Sequence, residues 1–308
     1  MSDTVRPPLD PILQKVLEAV PFQLTMDGGV EAARARFREL PRKAVFEEVR
    51  AEDRVIDGGV PVRIYWPADV EPSAPVVLFF HGGGWVVGDL DTYDGTARLH
   101  AAGTGAVVVS VDYRLAPEHP FPAAVDDVWA VTQWLAAHAD EIGGDPNRLA
   151  VAGDSAGGNL AAVVAQLARD AGITLRAQLL WYPATTWDTS LPSFTENADA
   201  PVLGRDAVGG FSLLYATGVD LRNPPAALVP ARAESLAGLA PAYIAVAGYD
   251  PLRDDGIRYG EMLTAAGVSV EVHNAETLVH GYLGYYGVVP ATTEAADKAL
   301  AALRAALA

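Results

Sequence analysis

Short continuous apolar runs alternate along the chain with longer stretches in which apolar residues recur every three or four positions. The short runs are typical of strands buried on both faces, and we predict such strands at 76–80, 107–111, 148–152 and 243–249. The longer stretches indicate helices, which we predict at 123–139, 156–171, 257–266 and 293–307. The alternation of strand and helix predicts an α/β fold with a mainly parallel central sheet flanked by helices on both faces.

The elements before residue 75 have a different character. Two shorter strands, predicted at 46–49 and 60–66, should begin the sheet as an antiparallel edge. An Asp10-Pro11 pair suits a helix N-cap and first turn, and it precedes apolar residues at helical spacing from Ile12 to Val20. We therefore expect an amphipathic N-terminal helix whose apolar stripe packs against the core.

Size and charge limit the classes of protein to which the chain can belong. Its 308 residues, 50% of them hydrophobic, can bury one large α/β core. Its net charge of −17 disfavours nucleic acid and anionic membranes as partners, because both would repel it. No run approaches the ~18 apolar residues that span a bilayer, and no signal peptide is recognisable, so we expect a cytoplasmic protein. The absence of cysteine excludes disulfides, thiol catalysis and cysteine-bound zinc.

The segment Gly153-Asp154-Ser155-Ala156-Gly157 fits the pattern G-x-S-x-G. It joins a predicted strand to a predicted helix, and its glycines allow the sharp turn that such a junction requires. This context predicts that Ser155 is a nucleophile on a tight turn at the sheet edge, with the helix N-terminus directed at the site. Asp154 precedes Ser155 on the turn, so we expect its side chain to point away and to play a supporting part.

Three consecutive glycines follow the predicted strand at 76–80, in the segment His81-Gly82-Gly83-Gly84-Trp85. Glycines leave backbone N–H groups unobstructed, so this loop can donate hydrogen bonds to the oxyanion of a tetrahedral intermediate. We assign Gly83 and Gly84 as donors, together with the backbone N–H of Ala156. A phosphate-binding loop is the alternative, but no G-K-[ST] follows and the acidity of the chain disfavours an anionic ligand.

A histidine that activates Ser155 must be chosen from six, and the order nucleophile, acid, histidine leaves His273 and His280. His273 should end an alternating strand at 268–273 on its polar face, whereas His280 follows in a loop that can reach the sheet edge. We therefore predict His280 as the base. His81 should instead brace the glycine loop through hydrogen bonds.

The acid that orients the histidine should close another strand. Asp250 directly follows the strand predicted at 243–249, and Pro251 ends that strand. Asp254 and Asp255 are rivals, but they open the next predicted helix, where carboxylates commonly cap N–H groups. We therefore predict Asp250 as the acid.

Together these segments resemble the hormone-sensitive-lipase-like branch of the α/β-hydrolases, the bacterial family IV esterases. The resemblance covers roughly residues 75–305, and five motifs stand in the family's order: His81-Gly82-Gly83-Gly84-Trp85, Asp112-Tyr113-Arg114-Leu115-Ala116-Pro117-Glu118, Gly153-Asp154-Ser155-Ala156-Gly157-Gly158-Asn159, Asp250-Pro251-Leu252-Arg253-Asp254 and His280-Gly281. It implies an α/β-hydrolase fold with a helical cap, no cofactor and no metal ion, and esters of short to medium acyl chains as substrates. It also implies the triad Ser155, Asp250 and His280 and the oxyanion donors Gly83, Gly84 and Ala156.

The resemblance further implies a domain organisation. N-terminal cap helices occupy 1–45, and a catalytic domain occupies 46–308, with 185–225 inserted as the rest of the cap. A homodimer through an edge strand is permitted by the same analogy. Two positions depart from the family: Asp255 stands where Glu is usual, and Tyr282, where Phe is commoner, could add a polar group near the pocket.

The cap segment matches the family least, so the acyl pocket is assigned from apolar side chains alone. The candidates are Trp85, Phe211 and Leu214, with Trp187, Phe194 and Tyr215 as further ones. Gly209-Gly210 should interrupt the helix predicted at 206–215, because each glycine weakens a helix by about 1 kcal/mol relative to alanine. We therefore hypothesise a mobile lid over Ser155.

These expectations define a carboxylesterase that works by two-step acyl transfer. Ser155 attacks the ester carbonyl, and His280 takes its proton while Asp250 holds the imidazole ring. A lipase for long chains and an amidase would use the same triad, so both stay open. A small-ligand receptor on this fold would keep the pocket without the triad, and the presence of all three residues disfavours it.

Overall fold

The computed structural model describes residues 6–56 and 59–308 of the chain; the first five residues of the predicted segment 1–45 lie outside this range. Within the described residues, the strands are β1 (Gln23–Leu24), β2 (Arg50–Val55), β3 (Pro61–Trp66), β4 (Ala74–Phe80), β5 (Val107–Val111), β6 (Gly144–Asp154), β7 (Leu175–Trp181), β8 (Val202–Leu203), β9 (Ala242–Tyr249) and β10 (Val270–Val279).

The α-helices of the same residues are α1 (Pro11–Ala19), α2 (Gly29–Arg38), α3 (Asp94–Thr104), α4 (Ala123–His138), α5 (Ala156–Asp170), α6 (Pro192–Glu196), α7 (Arg205–Tyr215), α8 (Arg253–Ala265) and α9 (Pro290–Leu307). Short 3-10 helices lie at Ala139–Ile142, Pro230–Arg232 and Tyr282–Tyr285.

One main sheet organises the molecule, with the strand order β10-β9-β7-β6-β4-β5-β3-β2. Strands β2 and β3 pair antiparallel, as do β3 and β5, whereas the pairs from β5 to β10 are parallel. This arrangement confirms the predicted parallel sheet with an antiparallel edge. Because the parallel strands share one direction, the carboxyl ends of β4, β6, β9 and β10 lie along the same edge of the sheet.

Both faces of the sheet are buried, which explains why its strands read as continuous apolar runs. On β4, Val76, Leu78 and Phe80 belong to a core that they share with buried residues of α4, α5 and α8. The alternate residues Val77 and Phe79 belong to a second core with residues of α3 and α9. Successive side chains thus serve opposite helical layers, as the pleat of a strand requires.

The N-terminal helix forms as predicted. Asp10 caps it, and its carboxylate oxygen Oδ1 accepts hydrogen bonds of 2.9 Å from the N–H groups of Ile12 and Leu13. Leu13 is fully buried in the same core as α9, and Val16 and Leu17 pack partly buried against it. Ile12 and Val20 are exposed, so core packing is confirmed for the middle of the apolar stripe and is wrong for its two ends. Farther along, β1 pairs in parallel with β8 in a separate two-stranded sheet, with Gln23 opposite Val202. The N-terminal segment is therefore hydrogen-bonded to residues that lie within 185–225.

The prediction of a strand at 46–49 is wrong. Phe46 to Val49 form a turn in which the N–H of Val49 donates to the oxygen of Phe46 at 3.0 Å. Phe46 has a φ of 50°, outside the range of a strand, and strand β2 begins only at Arg50. The turn buries Val49 in the core, so its apolar side chain reflects packing and not a strand.

Strand β6 and helix α9 begin earlier than predicted, and two further boundaries shift beside the predicted site. Strand β10 continues past His273 to Val279, because it pairs with β9 from Val270 to Ala275 and again at Val279 after an irregularity in the register. Helix α8 begins at Arg253, earlier than predicted. Both differences lie beside the predicted site and bring its residues directly to the ends of regular elements.

One buried histidine stabilises the layer between α3 and the sheet. Both ring nitrogens of His100 have partners, with Nδ1 2.8 Å from the oxygen of Thr96 and Nε2 accepting from Trp181 Nε1 at 3.0 Å. Only the neutral ring can accept the second bond. Burial lowers the pKa of His100 to about 4, from an ordinary value of 6.5.

We predict that this histidine makes the free energy of unfolding decrease at acidic pH. Since the pKa is depressed in the folded state, the contribution of His100 is complete above about pH 6.5 and is lost as the pH falls towards 4. The difference in free energy of unfolding between the wild type and His100→Gln should therefore shrink from pH 7 to pH 4.5. Urea unfolding at several pH values measures it, with the exposed His119→Gln as control. A constant difference, or one that grows towards acid, would contradict the assignment.

Candidate active site

The segment around Ser155 forms a sharp junction between β6 and α5. Strand β6 ends at Asp154, and α5 begins at Ala156, so Ser155 alone makes the turn. Its backbone has φ 55° and ψ −116°, a strained conformation for a residue with a side chain, and its N–H donates to the oxygen of Trp181 at 2.8 Å. The side chain is partly exposed, so a ligand can reach it.

Close packing fixes this turn against the end of β4. A Cβ atom placed on Gly157 would collide with the carbonyl oxygens of Phe80 and His81, so only glycine fits there. The first turn of α5 therefore lies directly beside the loop that carries Gly83 and Gly84. The helix N-terminus supplies a positive dipole end at the same place.

A chain of hydrogen bonds joins three of the predicted residues. His280 Nε2 lies 2.9 Å from Ser155 Oγ, and His280 Nδ1 lies 2.8 Å from Asp250 Oδ2. His280 is 4% exposed, and Asp250 is completely buried. The other oxygen of Asp250 accepts from the N–H of Leu252 at 2.8 Å, so both carboxylate oxygens have partners.

An aromatic side chain supports the imidazole from one side. The ring of Tyr182 lies 4.7 Å from that of His280, with the planes inclined at 59°. Tyr182 follows β7 and is held in place through its N–H, which donates to the oxygen of Ala245 at 2.5 Å. Its backbone also has a positive φ, of 35°. Motif analysis did not identify Tyr182, because its contact with His280 depends on the order of strands in the sheet.

The glycine loop is braced by His81, as predicted. His81 Nδ1 lies 2.7 Å from the oxygen of Gly82, and its ring stacks on that of Tyr113 at 4.3 Å. Tyr113 in turn donates its hydroxyl to the oxygen of His81 at 2.7 Å. Complete burial lowers the pKa of His81 to about 4, so this ring stays neutral and serves as a structural donor.

The turn that carries Asp250 is bound to residues that sequence analysis did not identify. Asn197 follows α6, and its amide nitrogen donates to the oxygens of Asp250 at 2.9 Å and of Gly248 at 3.2 Å. Ser193 Oγ donates to the oxygen of Pro251 at 2.8 Å. No local pattern marks either residue, because each is recognisable only by its contact with a turn more than fifty positions away.

Asp255 caps a different set of N–H groups from the predicted one. It does not cap the start of its own helix; its carboxylate accepts from the N–H groups of Thr185 at 2.7 Å, Thr186 at 2.8 Å and Trp187 at 3.1 Å. It also accepts from the Thr185 hydroxyl at 2.6 Å. Burial raises the pKa of Asp255, and these hydrogen bonds oppose the shift. The rival acid Asp254 similarly accepts from the N–H of Ser193 at 2.8 Å.

The rival histidine belongs to another part of the molecule. His273 lies within β10, and its Nδ1 is 3.5 Å from Lys298 Nζ on α9. Lys298 also pairs with Glu271 at 3.2 Å, so this region is a charged surface between the edge strand and α9. The structure therefore brings His280, and not His273, to Ser155.

A cavity of about 390 Å³ lies between α7, the segment after β7 and the turn after β9. Apolar side chains provide much of its wall, among them Trp187, Phe194, Val208, Leu213 and Leu252. This volume is within the range of small-molecule sites. Two of the further pocket candidates from the sequence, Trp187 and Phe194, thus line it.

The three main pocket candidates lie elsewhere. Phe211 is buried against the glycine loop, where a Cβ placed on Gly84 would come within 2.6 Å of its Cγ. Trp85 stacks on Tyr215 with 4.4 Å between ring centroids. Leu214 is half-buried against the same core. These contacts place Trp85 and Phe211 at the glycine loop and outside the cavity wall.

Two expectations about nearby residues are wrong. Helix α7 runs without interruption through Gly209 and Gly210, which removes the basis for a mobile lid. Packing compensates the weak propensity of glycine, since Gly210 faces Met26 of the N-terminal segment. Tyr282 is completely buried 5.3 Å from the Tyr182 ring and contributes to the core instead of the cavity wall.

Fold and site together define the class of the protein. The turn at Ser155, the glycine loop, Asp250 and His280 each follow a different strand, and the sheet brings their carboxyl ends to one edge. This is the arrangement of an α/β-hydrolase, in which a serine on a strand–helix turn meets a histidine and an acid from later strands.

Comparison with known proteins specifies the class further. A family model described as alpha/beta hydrolase fold matches residues 77–284. Esterase LipI of Mycobacterium tuberculosis is 63% identical over 308 residues, covering 98% of this chain and 96% of its own. Carboxylesterase NlhH of the same species is 55% identical over 311 residues, covering 98% and 97%. The protein in the crystal structure of DphMB1 is 79% identical in sequence to this chain. The two structures superpose with a TM-score of 0.96, and the match covers 98% of this chain and 100% of the DphMB1 chain.

The chain belongs to the hormone-sensitive-lipase-like family of α/β-hydrolases. It is a carboxylic ester hydrolase. Across residues 6–56 and 59–308, none of the helices combines the length and apolar character that crossing a bilayer would need.

We predict that Asp255→Ala destabilises the fold by about 3 kcal/mol, because one buried and two half-buried N–H groups lose their acceptor. Asp255→Asn keeps an oxygen in place of Oδ1, which accepts most of these bonds, and should cost less than half as much. Urea unfolding of both variants measures the difference, with the exposed Asp206→Ala as control. Equal stability of Asp255→Ala and the wild type would show that the loop at 185–187 does not depend on this carboxylate.

Proposed function

We propose that the protein is a serine carboxylesterase that cleaves short- to medium-chain acyl esters through the triad Ser155, His280 and Asp250. The hydrogen-bonded chain from Ser155 Oγ through the imidazole to Asp250 is the observation that carries this proposal. In such a series His280 takes the hydroxyl proton of Ser155 as the oxygen attacks. The buried carboxylate keeps the imidazole in the tautomer in which Nε2 carries no proton and can accept one.

The first half-reaction forms an acyl-enzyme. Ser155 Oγ attacks the carbonyl carbon of the ester while its proton passes to His280 Nε2. The carbonyl oxygen becomes an oxyanion, which accepts hydrogen bonds from the N–H groups of Gly83, Gly84 and Ala156. The tetrahedral intermediate then collapses, the carbon–oxygen bond to the alcohol breaks, and His280 gives its proton to the departing oxygen.

The second half-reaction releases the acid. A water molecule gives a proton to His280 Nε2 as its oxygen attacks the acyl carbon, and the same N–H groups hold the new oxyanion. Collapse breaks the bond to Ser155 Oγ, which recovers its proton from His280. Asp250 stabilises the imidazolium that forms in both halves.

The proposed domain organisation is a catalytic domain at 46–308 beneath a cap formed by 1–45 and 185–225. Pairing of β1 with β8 supports a cap in which both segments take part. The cavity supports a site for the apolar part of the ester, since it is bounded by α7 and the turn after Asp250. The cytoplasmic location and the homodimer stay predictions.

We predict that Ser155→Ala and His280→Ala each lower kcat on a soluble short-chain ester by roughly 10⁴-fold or more, because neither the acyl-enzyme nor its proton transfers can form. A p-nitrophenyl acetate assay measures kcat, and a fluorophosphonate should label the wild type on Ser155 alone by mass spectrometry. Circular dichroism confirms that the variants are folded.

His273→Ala is the matched control, since His273 is the other downstream histidine and lies beside Lys298. Its kcat should stay within tenfold of the wild type. A Ser155→Ala variant with a tenth of the wild-type rate would overturn the triad, and reversed results for the two histidines would reassign the base.

Acyl-chain preference tests which apolar surface holds the substrate. Gly209 lines the cavity, and a Cβ placed there meets no atom within 4 Å, so Gly209→Leu should fill the cavity without strain. We expect kcat/KM for octanoyl esters to fall at least tenfold relative to acetyl esters, since each buried methylene contributes about 0.8 kcal/mol. A series of p-nitrophenyl esters measures the profile.

Gly210→Ala is the control, because its Cβ would face Met26 and not the cavity. The alternative pocket beside Gly84 is tested with Phe211→Ala and Leu214→Ala, which should shift the preferred acyl length by at least two carbons if they line it. A shift in these variants without any change in Gly209→Leu would move the acyl site from the cavity to the glycine loop.

A further inference from the structure

Asp154 joins the serine turn to the glycine loop. It immediately precedes Ser155 and is 5% exposed. Its Oδ1 accepts from the N–H of Gly82 at 2.8 Å, and its Oδ2 accepts from the Tyr93 hydroxyl at 3.2 Å. The Asp154 side chain therefore points into the base of the glycine loop.

The fit around Gly82 leaves this loop little freedom. A Cβ placed on Gly82 would lie 2.5 Å from Asp154 Oδ2 and 2.9 Å from the Tyr93 hydroxyl oxygen. The ring of His81 covers the same region, 5.2 Å from that of Tyr93. Gly82 is thus enclosed by side chains, and its N–H depends on Asp154 as acceptor.

We propose that Asp154 is a positioning residue that fixes the N–H groups of Gly83 and Gly84 relative to Ser155 Oγ. The inference rests on the proposed function, since it assigns those groups to the oxyanion. One side chain holds Gly82, which begins the donor loop, while its own backbone leads into Ser155. Loss of the acceptor would let the loop move relative to the nucleophile.

The hydrogen bond, and not the charge, should carry this effect. Burial raises the pKa of Asp154 to about 7. The hydrogen bond from Gly82 and the electrostatic interaction with His280 act in the opposite direction and lower this pKa. The other titratable groups that interact with the carboxyl are the phenols of Tyr93, Tyr113 and Tyr182. A neutral carboxylic acid can still accept from Gly82, so an amide oxygen should replace it.

The test compares side chains of similar size at this position. Asp154→Asn keeps an oxygen acceptor for Gly82, whereas Asp154→Leu removes it and fills the volume, and Asp154→Ala removes it and leaves a gap. We expect kcat on p-nitrophenyl butyrate to fall 10- to 100-fold in the leucine and alanine variants, with KM changed less than threefold. The asparagine variant should stay within about fivefold of the wild type.

Binding of a transition-state analogue separates positioning from a general structural effect. An alkylboronic acid forms a tetrahedral adduct with Ser155, so its inhibition constant should rise with the loss in kcat for Asp154→Leu and stay near the wild-type value for Asp154→Asn. Tyr93→Phe is the matched control, because it removes a bond to Oδ2 and leaves the one from Gly82; its kcat should stay within threefold. Urea unfolding gives the folded fraction by which each rate is corrected.

Equal losses in the asparagine and leucine variants would overturn the proposal, as would a leucine variant with kcat within threefold of the wild type. These outcomes differ from failure of the proposed function. If Ser155→Ala kept its activity, the triad itself would be wrong, whatever the Asp154 variants did.

Discussion

Close packing of the β6–α5 turn against the end of β4 is the constraint on which the site depends. Gly157 lies so near the carbonyl oxygens of Phe80 and His81 that a side chain has no room. The adjacent strands β4 and β6 therefore fix the position of the Ser155 turn relative to the glycine loop. The strained backbone of Ser155 persists because strand, helix and neighbouring loop all determine it. The Ser155 side chain is therefore held in one place although it is partly exposed.

Buried carboxylates fix the loops around this turn. Asp154, Asp250 and Asp255 are at most 5% exposed in a chain whose net charge is already −17. Burying an unpartnered carboxylate would be very costly, but each of these accepts from backbone N–H groups of a loop at the site. The apolar core thus fixes the sheet, while these polar contacts fix the loops at its carboxyl edge. The arrangement also couples the segment after β7 to the turn that carries Asp250.

The central strands could be predicted because burial on both faces produces continuous apolar runs. Strand β5 has the predicted bounds, and β4 and β9 differ by at most two residues. The errors lie where pairing or capping by distant residues decides the structure. Strand β10 is an edge strand whose length follows its register with β9, and the guanidinium of Arg98 donates to the oxygens of Phe46 and Val49 in the turn. The start of α8 depends in the same way on Ser193, which contacts Asp254.

By itself, the sequence determined the fold class and the segments that meet at the site. Strand periodicity and the glycines beside Ser155 restrict the local backbone so strongly that few other arrangements are available. Only the tertiary structure decided that Asp255 holds the loop at 185–187, that Asn197 holds the turn of Asp250, and that Phe211 covers Gly84 instead of lining the cavity. These contacts join residues distant in the chain, and their energies depend on distance and burial, which no local propensity encodes.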